Sequence, residues 1–516
     1  MTDLAARDYF TDHAILKDPY AYFEAVRAHG PVWQPPGKDY LIVTGFDEFL
    51  QVMRNAADFS AIIGLQGAAL PLPFSPEGVD ITAQIEAHRA EFHGGDLLVN
   101  LDDNPHFNMR ALVNTLFVPS RLKASEARMT EYADRMVRDA VARGRIDLVA
   151  DIATPFVTWV VADMLGVPDE DRQMFIDKIA EAPCPGNLDG EKALDEADHP
   201  FVIMGGYFAG YIMDRLANPR EDVLTELAHA VYPDGTKANP EDMIKLGMFM
   251  FGAGQDTSAK LLTNSMRYIT DIPGMQDSLR ADPSQIPALL EEVLRLEGST
   301  KQTARLARRD TSIGGVPVKA GTKVLLAIAA ANRDPKRWDN PNAFQMNRPK
   351  IREHVAFGRS AHTCAGAPLA RAEVRVILEK FFEHTAKIDI DTAAHGPAGA
   401  RDLDYEPSFI IRGLSSLIVN LTPAAGFKPN DPVAPAAAAA APAPSGLSTA
   451  KTTLKELLAN APARALLDKH FPGVSDDKRI GMAKGMTLRG IQKFARDMFT
   501  DEALDGLDAD LAKLPG

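Results

Sequence analysis

Cysteine is almost absent from this chain, with two in 516 residues. Two thiols cannot build a disulfide framework, nor can they supply the four ligands of an iron–sulfur cluster. Long apolar runs are missing too. No stretch of about 18 consecutive apolar residues occurs, which argues against a membrane-spanning helix, and the N-terminal MTDLAARDYFTDHAILKDPYAYF is charged from its third residue. The expectation is a cytoplasmic protein with no signal peptide and no membrane insertion. Positive charge is in deficit: the net charge is -14 and the pI about 5.4. Such a chain repels phosphate backbones, which argues against a nucleic-acid partner. Small molecules and proteins remain.

What is present is a large apolar fraction, 46% of residues, enough for a sizeable core. The segment KPNDPVAPAAAAAAPAPSG, residues 428–446, alternates proline with alanine and has nothing to bury, which reads as an extended spacer. The expected organisation is a main domain over residues 1–425, a linker over 426–446 and a small all-α domain over 447–516. Helical apolar spacing recurs through residues 123–144, where Met129, Tyr132, Met136, Val137 and Ala140 share a stripe, and through residues 244–270. Strand-like pieces occur at DYLIVTGFD, TSIGGVPVKAGTKVLLAI and SFIIRGLSSLIVNL. The fold class is therefore mainly α with small β-sheets.

Cys184, in APCPGN, reads as a small buried residue. Cys364 sits differently. Gly358, Ala361, Ala365, Gly366 and Ala367 leave room for something bulky, and the helical pattern APLARAEVRVILEKFF, residues 367–382, begins just beyond it. A cysteine ahead of a helix start faces backbone N–H groups that favour its thiolate, a metal ligand or a nucleophile.

The stretch FGRSAHTCAG, residues 357–366, resembles the heme-ligand loop of the cytochrome P450 family, F-G-x-G-x-H/R-x-C-x-G. The resemblance implies heme b as cofactor, Cys364 as the axial ligand of its iron, His362 as a propionate partner and Phe357 as a ring beside the sulfur. Ser360 stands where the family has glycine, so a left-handed turn there would cost on the order of 1 kcal/mol. Further family marks follow in order. Glu292 and Arg295 in LLEEVLRLEG match its E-x-x-R pair, with Arg348 as the third member; His106 and Arg110 match its H-x-x-x-R; Arg305 precedes Asp310 by five residues, as in the family. FGAGQDTS, residues 251–258, matches the segment that crosses the heme in the family. There Gly252 and Ala253 would make room for dioxygen, Thr257 would hold a hydrogen bond to it, and Asp256, about 100° away around the helix, would face solvent and relay protons.

The resemblance, spanning about residues 15–422, implies a monooxygenase fed by a separate 2Fe-2S ferredoxin and its reductase. Arg352, Arg359, Arg371 and Arg375 around the cysteine loop form a candidate patch for an acidic ferredoxin. Leu65, Leu70, Leu72, Phe74, Phe201 and Met204 suggest a hydrophobic substrate such as a terpenoid, steroid, fatty acid or aromatic, and Thr300, Lys301 and Gln302 hint at a polar group on it. A peroxygenase and a non-catalytic heme sensor are the rival readings. In the tail, Leu454, Leu457, Leu458, Leu466, Leu467, Leu488, Ile491, Phe494 and Met498 fall at helical spacing and predict a small helical bundle.

Overall fold

A computed structural model describes residues 3–182, 185–187, 200–430, 447–476, 485–493, 495–496 and 498–514. Cys184 and residues 431–446 of the expected linker lie outside the described residues. The helices used below are α1 (Asp103–Leu116), α2 (Pro119–Arg143), α3 (Arg172–Glu181), α4 (Pro200–Ala217), α5 (Pro240–Asp271), α6 (Ile286–Glu297), α7 (Ala367–His384), α8 (Leu454–Ala459), α9 (Ala461–His470), α10 (Leu488–Gln492) and α11 (Asp501–Leu511). The chain divides into two compact units. One holds Met1–Met164, Pro183–Glu191 and Ala253–Pro429, the other Leu165–Ala182, Lys192–Gly252 and Asn430–Gly516.

The first unit carries three small sheets. The strands are β1 (Val32–Trp33), β2 (Tyr40–Val43), β3 (Phe59–Ser60), β4 (Arg145–Asp147), β5 (Thr303–Ala307), β6 (Thr311–Ile313), β7 (Val316–Val318), β8 (Lys323–Leu326), β9 (Thr385–Ile390) and β10 (Ile418–Pro423). The largest sheet runs β1-β2-β8-β5-β3, the second β4-β10-β9, and β6 pairs with β7 alone. Strand β2 pairs parallel with β8, Tyr40 opposite Lys323 and Val43 opposite Leu326, and all four of its residues are buried. That burial explains why YLIV reads as a continuous apolar run rather than an alternating one. Gly314 and Gly315 turn the β6–β7 hairpin with φ of 56° and 83°, a pair of positive values that two-residue hairpin loops require.

Two expectations need correction. The strand expected through SFIIRGLSSLIVNL forms only over Ile418–Pro423. Upstream, the Ser408 hydroxyl accepts the N–H groups of Ile410 and Ile411 and diverts them from a ladder. Helix α2 begins at Pro119, four residues ahead of the apolar stripe, because proline suits the first helical turn. Met129, Val137 and Ala140 are buried as expected, together with Ala133, while Tyr132 and Met136 are half-buried. Helix α7 packs against α2 and α6.

The second unit contains α3, α4, the start of α5 and the C-terminal helices. Leu454, Leu457, Leu467, Leu488 and Ile491 are buried there with Leu504, Leu507 and Leu511 of α11, and Phe471 meets Phe499 at 4.8 Å between centroids. A capping box joins Thr453 and Glu456 at the start of α8. Leu458 and Leu466 are half-buried and Met498 is exposed, so the last of these is not core; Phe494 lies outside the described residues.

Candidate active site

The cysteine loop is held by its own backbone. The Cys364 N–H donates to the Phe357 carbonyl at 2.8 Å, Gly358 N–H to Val355 at 2.9 Å and Thr363 N–H to Ser360 at 3.1 Å. Gly358 takes φ 66° and Ser360 φ 62°, so the serine does occupy the left-handed turn that favours glycine. Cys364 is exposed along one side while protein crowds the rest of it. Burial pushes its thiol above the ordinary value, against the N–H groups of Gly366 and Ala367 and the charges of Arg110 and Arg371, which pull it down. The N–H groups at the helix start thus favour the thiolate, as expected, and burial opposes them. A positively charged metal would supply the remainder. Gly366 lies close beneath the sulfur: a Cβ there would sit 3.8 Å from Sγ. The Arg371 guanidinium lies over the Phe357 ring at 4.6 Å.

Next to the cysteine loop two imidazoles and two guanidinium groups gather, with Asp102 the carboxylate acting on them. His106 of α1 and His362 of the loop stand ring to ring at 4.1 Å, and the buried His106 Nε2 has no partner among the described residues. Burial, then Arg305, His106 and Arg110, drive His362 down to about 2. Burial and then Arg110 also lower His106, while Arg305 falls to about 10 through burial, relieved only by Asp102. Burial lowers Arg110 as well, and the nearby Cys364 opposes that shift. Four cationic or basic side chains repelling one another around an orphaned nitrogen are what two carboxylates would satisfy. Heme carries two such propionates, so the donor set fits it. Asp310 is not part of this group: its carboxylate accepts from Lys319 and the Ala320 N–H.

Behind the loop, Glu292 of α6 is fully buried and accepts from both Arg295 (2.9 and 2.7 Å) and Arg348 (3.0 and 3.2 Å). The surplus cation is answered by carbonyls: Arg295 donates to Asn332, Pro341 and Ala343, and Arg348 to Ala343. A buried pair of this kind is tolerable only when every donor is used. Asn332 also accepts the Val355 N–H, tying the network to the start of the cysteine loop.

On α5, Thr257 donates its hydroxyl to the Ala253 carbonyl at 3.0 Å, and the Thr257 carbonyl accepts from Ser299 at 2.6 Å. Ala253 is exposed. Gly254 has a packing reason, since a Cβ there would meet Val161 at 3.1 Å. Asp256 is half-buried rather than turned fully to solvent. One carboxylate oxygen lies 3.6 Å from Lys260 and the other is buried without a partner, so burial raises its pKa, Lys260 lowers it and Glu406 raises it again. Lys260 in turn pairs with Glu406, and its stem passes so close over Gly413 that a Cβ there would lie 2.0 Å from it.

The sequence reading missed this Lys260–Glu406 link, whose members are 146 residues apart. It also missed Glu373, buried on α7 with Oε2 unpaired among the described residues and held up at about 8 by burial despite a hydrogen bond with Ser258. Its signal was available: Glu373 interrupts the stripe of Leu369, Val376 and Ile377.

The Lys301 ammonium is buried against the Leu16 and Ser408 carbonyls, so it is structural. Leu72 and Phe74 pack on a cluster that includes Ile62, Ile81 and Phe92, while Leu70 is exposed and Leu65 half-buried. Met204 is buried; the side chain of Phe201 lies outside the described residues. Gln302 is buried with neither amide atom partnered. Arg371 is bound by Glu291 and Arg375 by Glu126 and Glu379, which leaves Arg352 and Arg359 of the basic patch. Among the described residues no helix is long and apolar enough to cross a membrane.

Comparison with known proteins gives a consistent result. A model of the family "Cytochrome P450" matches residues 213–385. Cytochrome P450 109 of Bacillus spizizenii is 29% identical over 409 residues, covering 78% of this chain and 92% of that protein. The monooxygenase PikC of Streptomyces venezuelae is 28% identical over 410 residues, 78% of this chain and 90% of that protein. The substrate-free structure of Mycobacterium marinum CYP150A6 superposes with a TM-score of 0.76 at 40% identity, covering 82% of this chain and all of that one.

Proposed function

The chain belongs to the cytochrome P450 family of monooxygenases, and on that premise we propose that it hydroxylates or epoxidises a hydrophobic small molecule, with Cys364 as the residue whose thiolate would hold the iron of heme b. The observation that carries the residue assignment is the pair of adjacent imidazoles, His106 against His362 at 4.1 Å, with Arg110 and Arg305 acting on both and the buried His106 Nε2 unpartnered among the described residues. In this reading those four side chains hold the two propionates. Phe357, Gly358 and Gly366 shape the loop around the sulfur, and Ala253 leaves space on the opposing helix. Bound heme supplies the activation of dioxygen that places one oxygen atom in a C–H or C=C bond.

The remaining chemistry belongs to the chain. Thr257 holds a proton at Oγ1, where it can turn from the Ala253 carbonyl toward the reacting oxygen. Asp256 carries the next proton on its unpartnered Oδ2. Lys260 and Glu406, half-buried like Asp256 itself, extend its route to water.

Electrons come from a separate 2Fe-2S ferredoxin and its reductase, because two cysteines cannot hold a cluster in this chain. Residues 1–425 form the monooxygenase domain and residues 447–516 an accessory helical module tethered through 426–446. The test is reconstitution of heme-loaded protein with NADH, ferredoxin and ferredoxin reductase, screened against terpenoids, steroids, fatty acids and aromatics. Dioxygen uptake coupled to substrate loss is expected, and Thr257→Ala should retain heme while diverting electrons to peroxide. Turnover with hydrogen peroxide and none with the ferredoxin chain contradicts the proposal.

A further inference from the structure

Helix α4, PFVIMGGYFAGYIMDRLA, is apolar around most of its circumference, which requires burial on more than one side. Met204, Phe208 and Ile212 form one stripe and are buried. Phe208 lies against Phe175 of α3 and Phe251 of α5, at 5.7 and 6.3 Å between centroids. One residue back, about 100° around the axis, Ile203, Tyr207 and Tyr211 repeat the same spacing. This second stripe is met by the C-terminal module.

The contact is fitted rather than loose. A Cβ on Gly485 would lie 3.1 Å from Ile203 Cγ1, and one on Gly490 3.0 Å from the Tyr207 hydroxyl, which also bonds with Thr487. The Lys493 ammonium pairs with one oxygen of the buried Asp171, whose other oxygen accepts from Tyr211 at 2.7 Å. Leu488 and Ile491 between them are buried. Burial raises both tyrosine hydroxyls, Tyr207 to about 12, with Asp171 adding to each, as a water-excluding contact should. Taking Lys493 away would leave a buried carboxylate with a hydroxyl and no cation, a costly arrangement.

We propose that residues 485–493 are an intramolecular strap whose docking surface is the Ile203–Tyr207–Tyr211 stripe of α4, latched at Asp171. The strap holds α3 and α4 down and slows entry to the substrate pocket, a consequence that rests on the proposed function and on the expectation that Met204 of α4 meets the hydrophobic substrate. The covalent tether raises the local concentration of the module, so a small contact suffices to keep it seated.

The test uses full-length, heme-loaded protein and the variants Lys493→Met, Gly490→Val and Lys493→Arg. Hydrogen exchange is read in peptides from α4 and, as an internal reference, from α6. Association of 4-phenylimidazole is followed by the heme absorption change. Lys493→Met and Gly490→Val should raise exchange in α4 at least fivefold with α6 unchanged and speed association several-fold, while Lys493→Arg stays near the parent. Unchanged α4 exchange in both variants, or faster exchange with unchanged association, overturns the proposal. The carbonyl-bound ferrous spectrum of the same samples reports separately on the heme–thiolate assignment.

Discussion

Glu373→Gln isolates a buried acid with a calculable signature. The carboxyl is 1% exposed, with Oε2 unpartnered, and burial lifts its pKa from 4.5 to about 8. The folded protein therefore keeps a proton that the unfolded chain releases throughout that window. Stability must then fall as pH rises, by about 1.4 kcal/mol for each pH unit within it. Between pH 5.5 and 7.5 the loss is about 2.7 kcal/mol. Glutamine cannot ionise, and it keeps the shape of the neutral acid and a polar end for Ser258. The variant should match the parent near pH 5.5 and exceed it by about 2–3 kcal/mol near pH 7.5. Urea unfolding of the heme-loaded protein at both pH values, followed by tryptophan fluorescence, measures the difference. The same variant should lose the infrared carbonyl band of a protonated carboxylic acid at pH 7. Parallel pH slopes for parent and variant would refute the assignment of a neutral Glu373.

Ser360→Gly should stabilise the protein by about 0.5–1 kcal/mol, because φ 62° favours glycine and the Thr363 bonds to the residue 360 carbonyl survive; a lower urea midpoint would contradict the strain argument. Lys260→Met removes the cation between Asp256 and Glu406, and turnover should fall by about an order of magnitude or more with the carbonyl-bound ferrous spectrum unchanged. Unaltered turnover and coupling would remove Lys260 from the proton route.

The sequence revealed what is local. A glycine-bounded cysteine before a helix, a Glu–Arg pair one turn apart and a His–Arg pair on one face of α1 are all written in short spacings, and the fold brings them together. Arg348 was readable because its place before the loop is fixed by order. Direction was not readable. Lys301 looked like a substrate contact, yet its ammonium is used by the carbonyls of Leu16 and Ser408. The charges of Arg371 and Arg375 looked available for a partner until helix packing brought Glu291 and Glu126 to them. Asp256 was placed in solvent from helix angle alone, while Lys260, paired with Glu406, leaves it half-buried. Cys364 shows competition of magnitudes: two backbone N–H groups favour its thiolate, and desolvation outweighs them.

The central claim is sulfur ligation of heme iron by residue 364. The direct measurement is the absorption spectrum of the reduced, carbon monoxide-bound protein, compared with Cys364→Ala. The parent should show the red-shifted band of thiolate-ligated heme and the variant should lose it. A variant that retains the band, or a parent that never shows it after loading with hemin, contradicts the assignment.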